Sequence, residues 1–132
     1  MKFHIALLSI CCLSIVSCKQ KQETAIVAEE PTFSEAPFTI ESAVIEGDTL
    51  YTTVSFSGGC GEHEFSLKAN GAMMKSLPPK QPLSIIHSST NDPCRAHIVQ
   101  EKKFDISSYR GTPSGVTVIL LENWNQHLSY SY

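Results

Sequence analysis

From Phe38 to Tyr132 apolar and polar residues alternate with a period of two, the repeat of strands buried on one face. In "FTIESAVIEGDTLYTTVSFSGG", Phe38, Ile40 and Val44 mark a first run. Leu50, Thr52, Val54 and Phe56 line one face of a second, with Tyr51, Thr53 and Ser55 on the other. Gly47-Asp48 between them has the chemistry of a hairpin turn. "HEFSLKANG" sets His63, Phe65 and Leu67 on one face and Glu62, Glu64, Ser66 and Lys68 on the other, and Asn70-Gly71 ends it. After the stiff "LPPKQP", "PLSIIHSS" reads as a short strand, followed by "RAHIVQEKKFDIS", "GVTVILLEN" and "HLSYSY". Met73, Met74 and Leu77 have the spacing of one helical turn, which Pro78 limits. Short strands punctuated by Gly, Pro and Asn predict an all-β protein. The expected form is an immunoglobulin-like antiparallel β-sandwich of about seven strands, a small barrel being the alternative.

The N-terminal part has a different pattern. Met1 and Lys2 make a short positive start, and Phe3 to Val16 is a mostly apolar run. A membrane-crossing helix needs about 20 apolar residues. The shorter run suits a secretory signal peptide. It ends in "IVSC", which resembles the lipobox of bacterial lipoproteins; plain cleavage near Ser17 is the alternative. The resemblance implies that residues 1–17 are a leader and that Cys18 is acylated and becomes the first mature residue. More than one acyl chain makes such an anchor durable. Lys19 stands where an aspartate would signal inner-membrane retention, so the resemblance implies an outer-membrane lipoprotein, periplasmic or surface-exposed, in a Gram-negative cell. "KQKQETAIVAEEPTFSEAP" is too polar to bury a core, so residues 18–37 read as a lipidated cysteine and flexible tether. Residues 38–132 then form one small domain.

Charge narrows the partners. The chain has 10 basic and 13 acidic residues, and the leader takes away Lys2 but no acid. A weakly acidic body without a basic cluster argues against nucleic acid. The expected partners are a membrane, through the lipid, and an envelope protein, peptide or glycan. No cofactor is required.

Five cysteines are present. Cys11 and Cys12 leave with the leader and Cys18 takes lipid, which leaves Cys60 and Cys94. Two cysteines in an oxidising compartment predict a disulfide, and a domain this small benefits from one. Each stands in a Cys-x-x-His, with His63 and His97. Cys60, His63, Cys94 and His97 are therefore a conceivable metal set. Gly59 and Gly61 permit a tight turn at the first pair. The second lies in a strand pattern, where positions three apart face opposite ways, and oxidised sulfurs ligate zinc poorly. A nucleophilic Cys60 based on His63, oriented by Glu62 or Glu64, fails once Cys60 is oxidised. Glu62 and Glu64 read as a solvated strand face. His63, beside Phe65 and Leu67, reads as a hydrogen-bonded structural histidine, whereas His87, His97 and His127 read as surface or edge positions. Tyr109, Trp124, Tyr130 and Tyr132 are expected in the core and at strand edges rather than in a recognition patch.

The segments "GGCGEHEFSL", "HSSTNDPC" and "FDIS" together resemble small Bacteroidota lipoproteins, and more distantly the C-terminal β-sandwich of NigD-like lipoproteins. The resemblance implies an extracytoplasmic β domain and transfers no catalytic residue. Its functional implication is a lipid-anchored, non-enzymatic binding or envelope structural module.

Overall fold

The computed structural model describes residues 31–132. The leader, Cys18 and most of the expected tether lie outside the described residues. Eight strands follow in order: β1 (Ser34–Glu35), β2 (Thr39–Glu46), β3 (Thr49–Gly58), β4 (His63–Ala69), β5 (Lys80–Ser89), β6 (Ala96–Asp105), β7 (Val116–Leu121) and β8 (Leu128–Ser131). They form two packed sheets, the all-β sandwich that the alternation predicts. No described helix is long and apolar enough to cross a membrane.

The smaller sheet is β2-β3-β6, antiparallel throughout. β2 and β3 form the hairpin expected at Gly47-Asp48, and Gly47 takes the left-handed conformation (φ 56°) that a glycine accepts without strain. The larger sheet is organised on β5. β4 runs antiparallel along one side of it, from His63 opposite Ser89 to Ala69 opposite Leu83. The other side is shared. β7 pairs in parallel over Lys80–Leu83, and β1 pairs antiparallel at Ser88–Ser89. β8 borders β7. The parallel contact exists because the chain leaves β5, crosses to the other sheet for β6, and returns for β7 in the same direction.

β5 is longer than the sequence suggests: it starts at Lys80 and runs 10 residues with Pro82 inside it. Pro82 is tolerated opposite Leu120, at the short parallel pairing. Met74 bridges Lys80 in extended backbone instead of making a helical turn. The consecutive Pro78 and Pro79 deny that segment the amide donors a helix needs. The single 3-10 turn among the described residues is at Ser107–Tyr109. Residues 34–37, just before the expected domain start, lie against β5, and the Ala36 amide donates to the His87 carbonyl (2.9 Å).

Period-two burial builds the core. Leu50 of β3 packs in one cluster with Ile40 and Ala43 of β2, Leu83 and Ile85 of β5, Ile119 and Leu121 of β7 and Tyr130 of β8, and Val54 and Phe56 of β3 are buried as well. Tyr130 is fully buried, and Tyr109, Trp124 and Tyr132 pack against this core as expected. The Tyr130 hydroxyl donates to Asp48, which also receives the Arg110 guanidinium at 2.6 and 2.7 Å. That carboxylate thus pins the β2–β3 turn to β8.

Candidate functional site

Two connections cross from one sheet to the other at the same end of the sandwich: β3 to β4, and β5 to β6. Cys60 lies in the first and Cys94 in the second, at disulfide distance with Cα atoms 5.6 Å apart. The disulfide therefore joins the two crossovers, which is where a covalent link most directly holds the sheets together. Beneath it lies a chain of polar contacts between the sheets.

Asp92 starts the chain. In "NDPC", Asp92 accepts the amide of Cys94 two residues on (2.8 Å), the turn that Asp makes with its own backbone. It also accepts the amides of Gly59 (2.8 Å) and Cys60 (3.3 Å) from the opposite crossover. Its Oδ2 then takes a hydrogen bond from His63 Nε2 at 2.8 Å. His63 Nδ1 meets His87 Nε2 at 3.0 Å, and His87 Nδ1 donates to the carbonyl of Pro37 (3.2 Å). The side chains of His63 and Asp92 are 9% and 5% exposed, and His87 is 1% exposed. Thr90 adds a clamp: its amide donates to the Glu62 carbonyl (3.0 Å) and its Oγ1 accepts from the Glu62 amide (2.9 Å).

The two imidazoles sit among aromatic rings. Phe65 stacks on His87 with centroids 4.2 Å apart and planes 3° from parallel. Phe56 contacts both histidines, at 4.5 and 4.9 Å, and Phe38 meets His87 edge-on. Lys102 reaches from β6 over the Phe65 ring at 4.8 Å. Glycine makes the room. A Cβ on Gly58 would stand 2.6 Å from both His63 Nε2 and Asp92 Oδ2, and one on Gly61 2.9 Å from Asp92 Cβ and Thr90 Oγ1. The glycines of "SGGCG" thus let β3 and its turn lie against the His63–Asp92 contact.

The electrostatics follow from these contacts. Burial pushes the Asp92 carboxyl up, but amides of Gly61, Cys94 and Gly59 and the His63 N–H outweigh it. Asp92 is held well below the usual carboxylate range. Burial pushes the His87 pKa down, against a smaller opposing effect of the Pro37 carbonyl.

This arrangement corrects the sequence reading at His87, which is a buried core residue instead of a surface or edge position. Leu83, Ile85 and His87 share a face at period two, so the placement had a signal in the alternation. His97 does lie on an exposed face: it pairs with Ser57 on the outer side of β6. The metal set Cys60, His63, Cys94 and His97 is therefore divided. His63 points between the sheets, His97 points away, and the two sulfurs face each other. Cys60, Cys94 and Asp92 do cluster, but with both sulfurs committed to the disulfide they offer no thiolate ligands. Glu62 and Glu64 are exposed, as expected of a solvated face. Nothing local in the sequence ties Asp92 to residues some thirty positions earlier, so its role is visible only in the fold.

The opposite end of the sandwich, before the start of β5, has another character. Leu77 is 99% exposed, and Met74 and Val116 are 43% and 37% exposed. Leu77, Pro78, Pro79, Thr112 and Val116 line a groove of about 450 Å³. Beside it, Tyr132 Oη accepts the amides of Gly111 (2.9 Å) and Thr112 (3.1 Å) and meets Thr117 Oγ1 at 2.9 Å. Burial raises the Tyr132 pKa, but the Thr112 and Thr117 hydroxyls and the two amides outweigh it and bring it down to about 8.

The chain matches no protein-family model, and no relative was found among curated proteins or solved structures.

Proposed function

We propose that this protein is a lipid-anchored, extracytoplasmic β-sandwich module, attached to the outer membrane through Cys18, that binds an envelope protein, peptide or glycan or has a structural role there. The observation that carries the reading is the Cys60–Cys94 pair at disulfide distance across the two crossovers of a small domain. Such staples persist in oxidising compartments, and the leader ending in "IVSC" supplies the route there. A non-enzymatic role is supported by the His63–Asp92 contact, the pair here most like a catalytic one. Both ring nitrogens of His63 are engaged within the domain, under a cover of Phe56 and Gly58. The exposed Leu77 end offers a binding face, since Leu77 and Val116 gather apolar surface with Pro78 and Pro79 along one groove.

Fractionation tests the anchor. Wild-type protein is expected in the membrane fraction and Cys18→Ser outside it; retention of the variant at the wild-type level counts against lipidation. A photo-crosslinking residue at position 77 tests the binding face in whole cells. A discrete adduct is expected, and its absence argues against a partner at that end.

A further inference from the structure

The contacts around His63 and His87 require a particular number of protons. A carbonyl oxygen only accepts, so the contact with Pro37 places a proton on His87 Nδ1. An ionised carboxylate only accepts, so the contact with Asp92 places one on His63 Nε2. Between the rings, 3.0 Å separates His63 Nδ1 from His87 Nε2, and that gap closes as a hydrogen bond only with a single proton in it. Three protons on two imidazoles make one imidazolium and one neutral ring. The positive charge belongs on His63, in contact with the Asp92 carboxylate, and His87 stays neutral among Phe38, Phe56 and Phe65.

We propose that His63, His87 and Asp92 form a pH-responsive latch, closed by one shared proton and opened both by its loss and by the arrival of a second. When the proton leaves, two lone pairs face each other between the rings and the Asp92 charge loses its counter-ion. When a second arrives, two N–H groups point at each other and two cations share one buried carboxylate. Either state breaks the middle of a chain that spans both sheets. The parts attached to it are the crossover carrying Gly59 and Cys60, the loop carrying Asp92 and Cys94, and residues 36 and 37, which link β1 to β2. Opening thus loosens the disulfide end and the β1–β2 link together.

Few other charges face the pair. Phe38 comes from the residue just before β2, Phe56 and Gly58 from β3, and Phe65 from β4. The charged groups turned toward the pair are Asp92, from the loop after β5, and Lys102, from β6, whose ammonium opposes a second positive charge. Glu62, Glu64 and His97 lie on outer, exposed faces.

The pair titrates as a unit with two midpoints. Burial among the phenylalanines holds the second proton, the one His87 would take, below the ordinary imidazole value of about 6.5. The sign follows for each. The shared proton's contribution to stability is lost as pH rises and that proton leaves the gap between the rings. The second costs stability as pH falls below about 6.5 toward the lower midpoint, because the unfolded chain takes up that proton more readily. The latch is therefore tightest near the middle of the range.

Histidine ring nitrogen resonances of the full chain in detergent micelles, followed from pH 5 to 8, test this directly on the wild type. Expected within that range is a window with a doubly protonated His63 beside a His87 protonated at Nδ1 only. Two neutral rings across the whole range overturn the proposal. Amide exchange at Gly59, Cys60 and Cys94, corrected for its intrinsic pH dependence, should be slowest in that window. Beyond each midpoint it should rise with a slope of about tenfold per pH unit, the slope of one proton. A flat profile refutes the latch. Asp92→Asn keeps the shape and removes the anion, so the upper midpoint should fall. An unchanged midpoint in that variant also refutes it.

Discussion

Replacing Cys60 and Cys94 singly and together by alanine tests the staple and its mechanism. The two positions are 34 apart in sequence, and the loop they close contains all of β4 and β5. In the chain-entropy model a loop of this size constrains the unfolded chain by about 4 kcal/mol at 25 °C. A small domain has about 5 to 15 kcal/mol of total stability, so the loss removes a large share of it. The folded crossovers keep other contacts in every variant. Asp92 still gathers the amides of Gly59, Cys60 and Cys94, and Thr90 still clamps Glu62. The cost therefore arises in the unfolded state, which either single substitution releases completely. Equilibrium urea unfolding should show Cys60→Ala, Cys94→Ala and the double variant shifted to lower midpoints by nearly equal amounts. The slope with denaturant should be steeper than for wild type, because the uncrosslinked chain exposes more surface. A double variant clearly less stable than both singles refutes the reasoning, since it means each thiol contributes packing of its own. So does a loss below about 1 kcal/mol in all three, which places the stabilisation elsewhere.

Other substitutions probe separate features. Gly58→Ala brings a Cβ to 2.6 Å from His63 Nε2 and Asp92 Oδ2, and should cost about 1–3 kcal/mol in thermal or urea unfolding, as overpacking does. Thr52 Oγ1 is buried without a hydrogen-bond partner among the described residues, so Thr52→Val should raise stability by about 1 kcal/mol in the same assay. The Tyr132 phenol should ionise near pH 8, visible as phenolate absorbance that Tyr132→Phe removes. Its folded pKa lies below the ordinary value of about 10. The unfolded chain thus holds the proton longer, and this group's contribution to stability rises between pH 8 and 10.

Local chemistry carried much of the fold. The alternation in "TLYTTVSFSG" and "HEFSLKA" is the burial pattern of β3 and β4, because successive side chains on a strand must take opposite faces. Gly47-Asp48 was legible as a turn for an equally local reason. The Cys60–Cys94 pair needed only counting, given an expected leader and an expected acylated Cys18 to account for the other three cysteines. The parallel register of β5 with β7 was not legible, since it depends on where β6 crosses between the sheets and no local signal encodes that crossing. The exposed Leu77 lies in a Pro-rich segment whose sequence resembles a buried turn as much as an exposed one; packing decided it.

The candidate site divides in the same way. The sequence by itself singled out His63, through its place on the Phe65 and Leu67 face, and a Gly-rich turn around Cys60. It did not join His63 to His87 or to Asp92, because each contact links residues 24 or more positions apart. Tertiary structure joins them by setting His63 opposite Ser89 at the β4–β5 register and folding the "NDPC" turn back over that end. Two glycines leave the backbone close enough for the carboxylate to reach His63. Burial then turns three ordinary polar side chains into a single chain of hydrogen bonds, because groups removed from water must find their partners in one another.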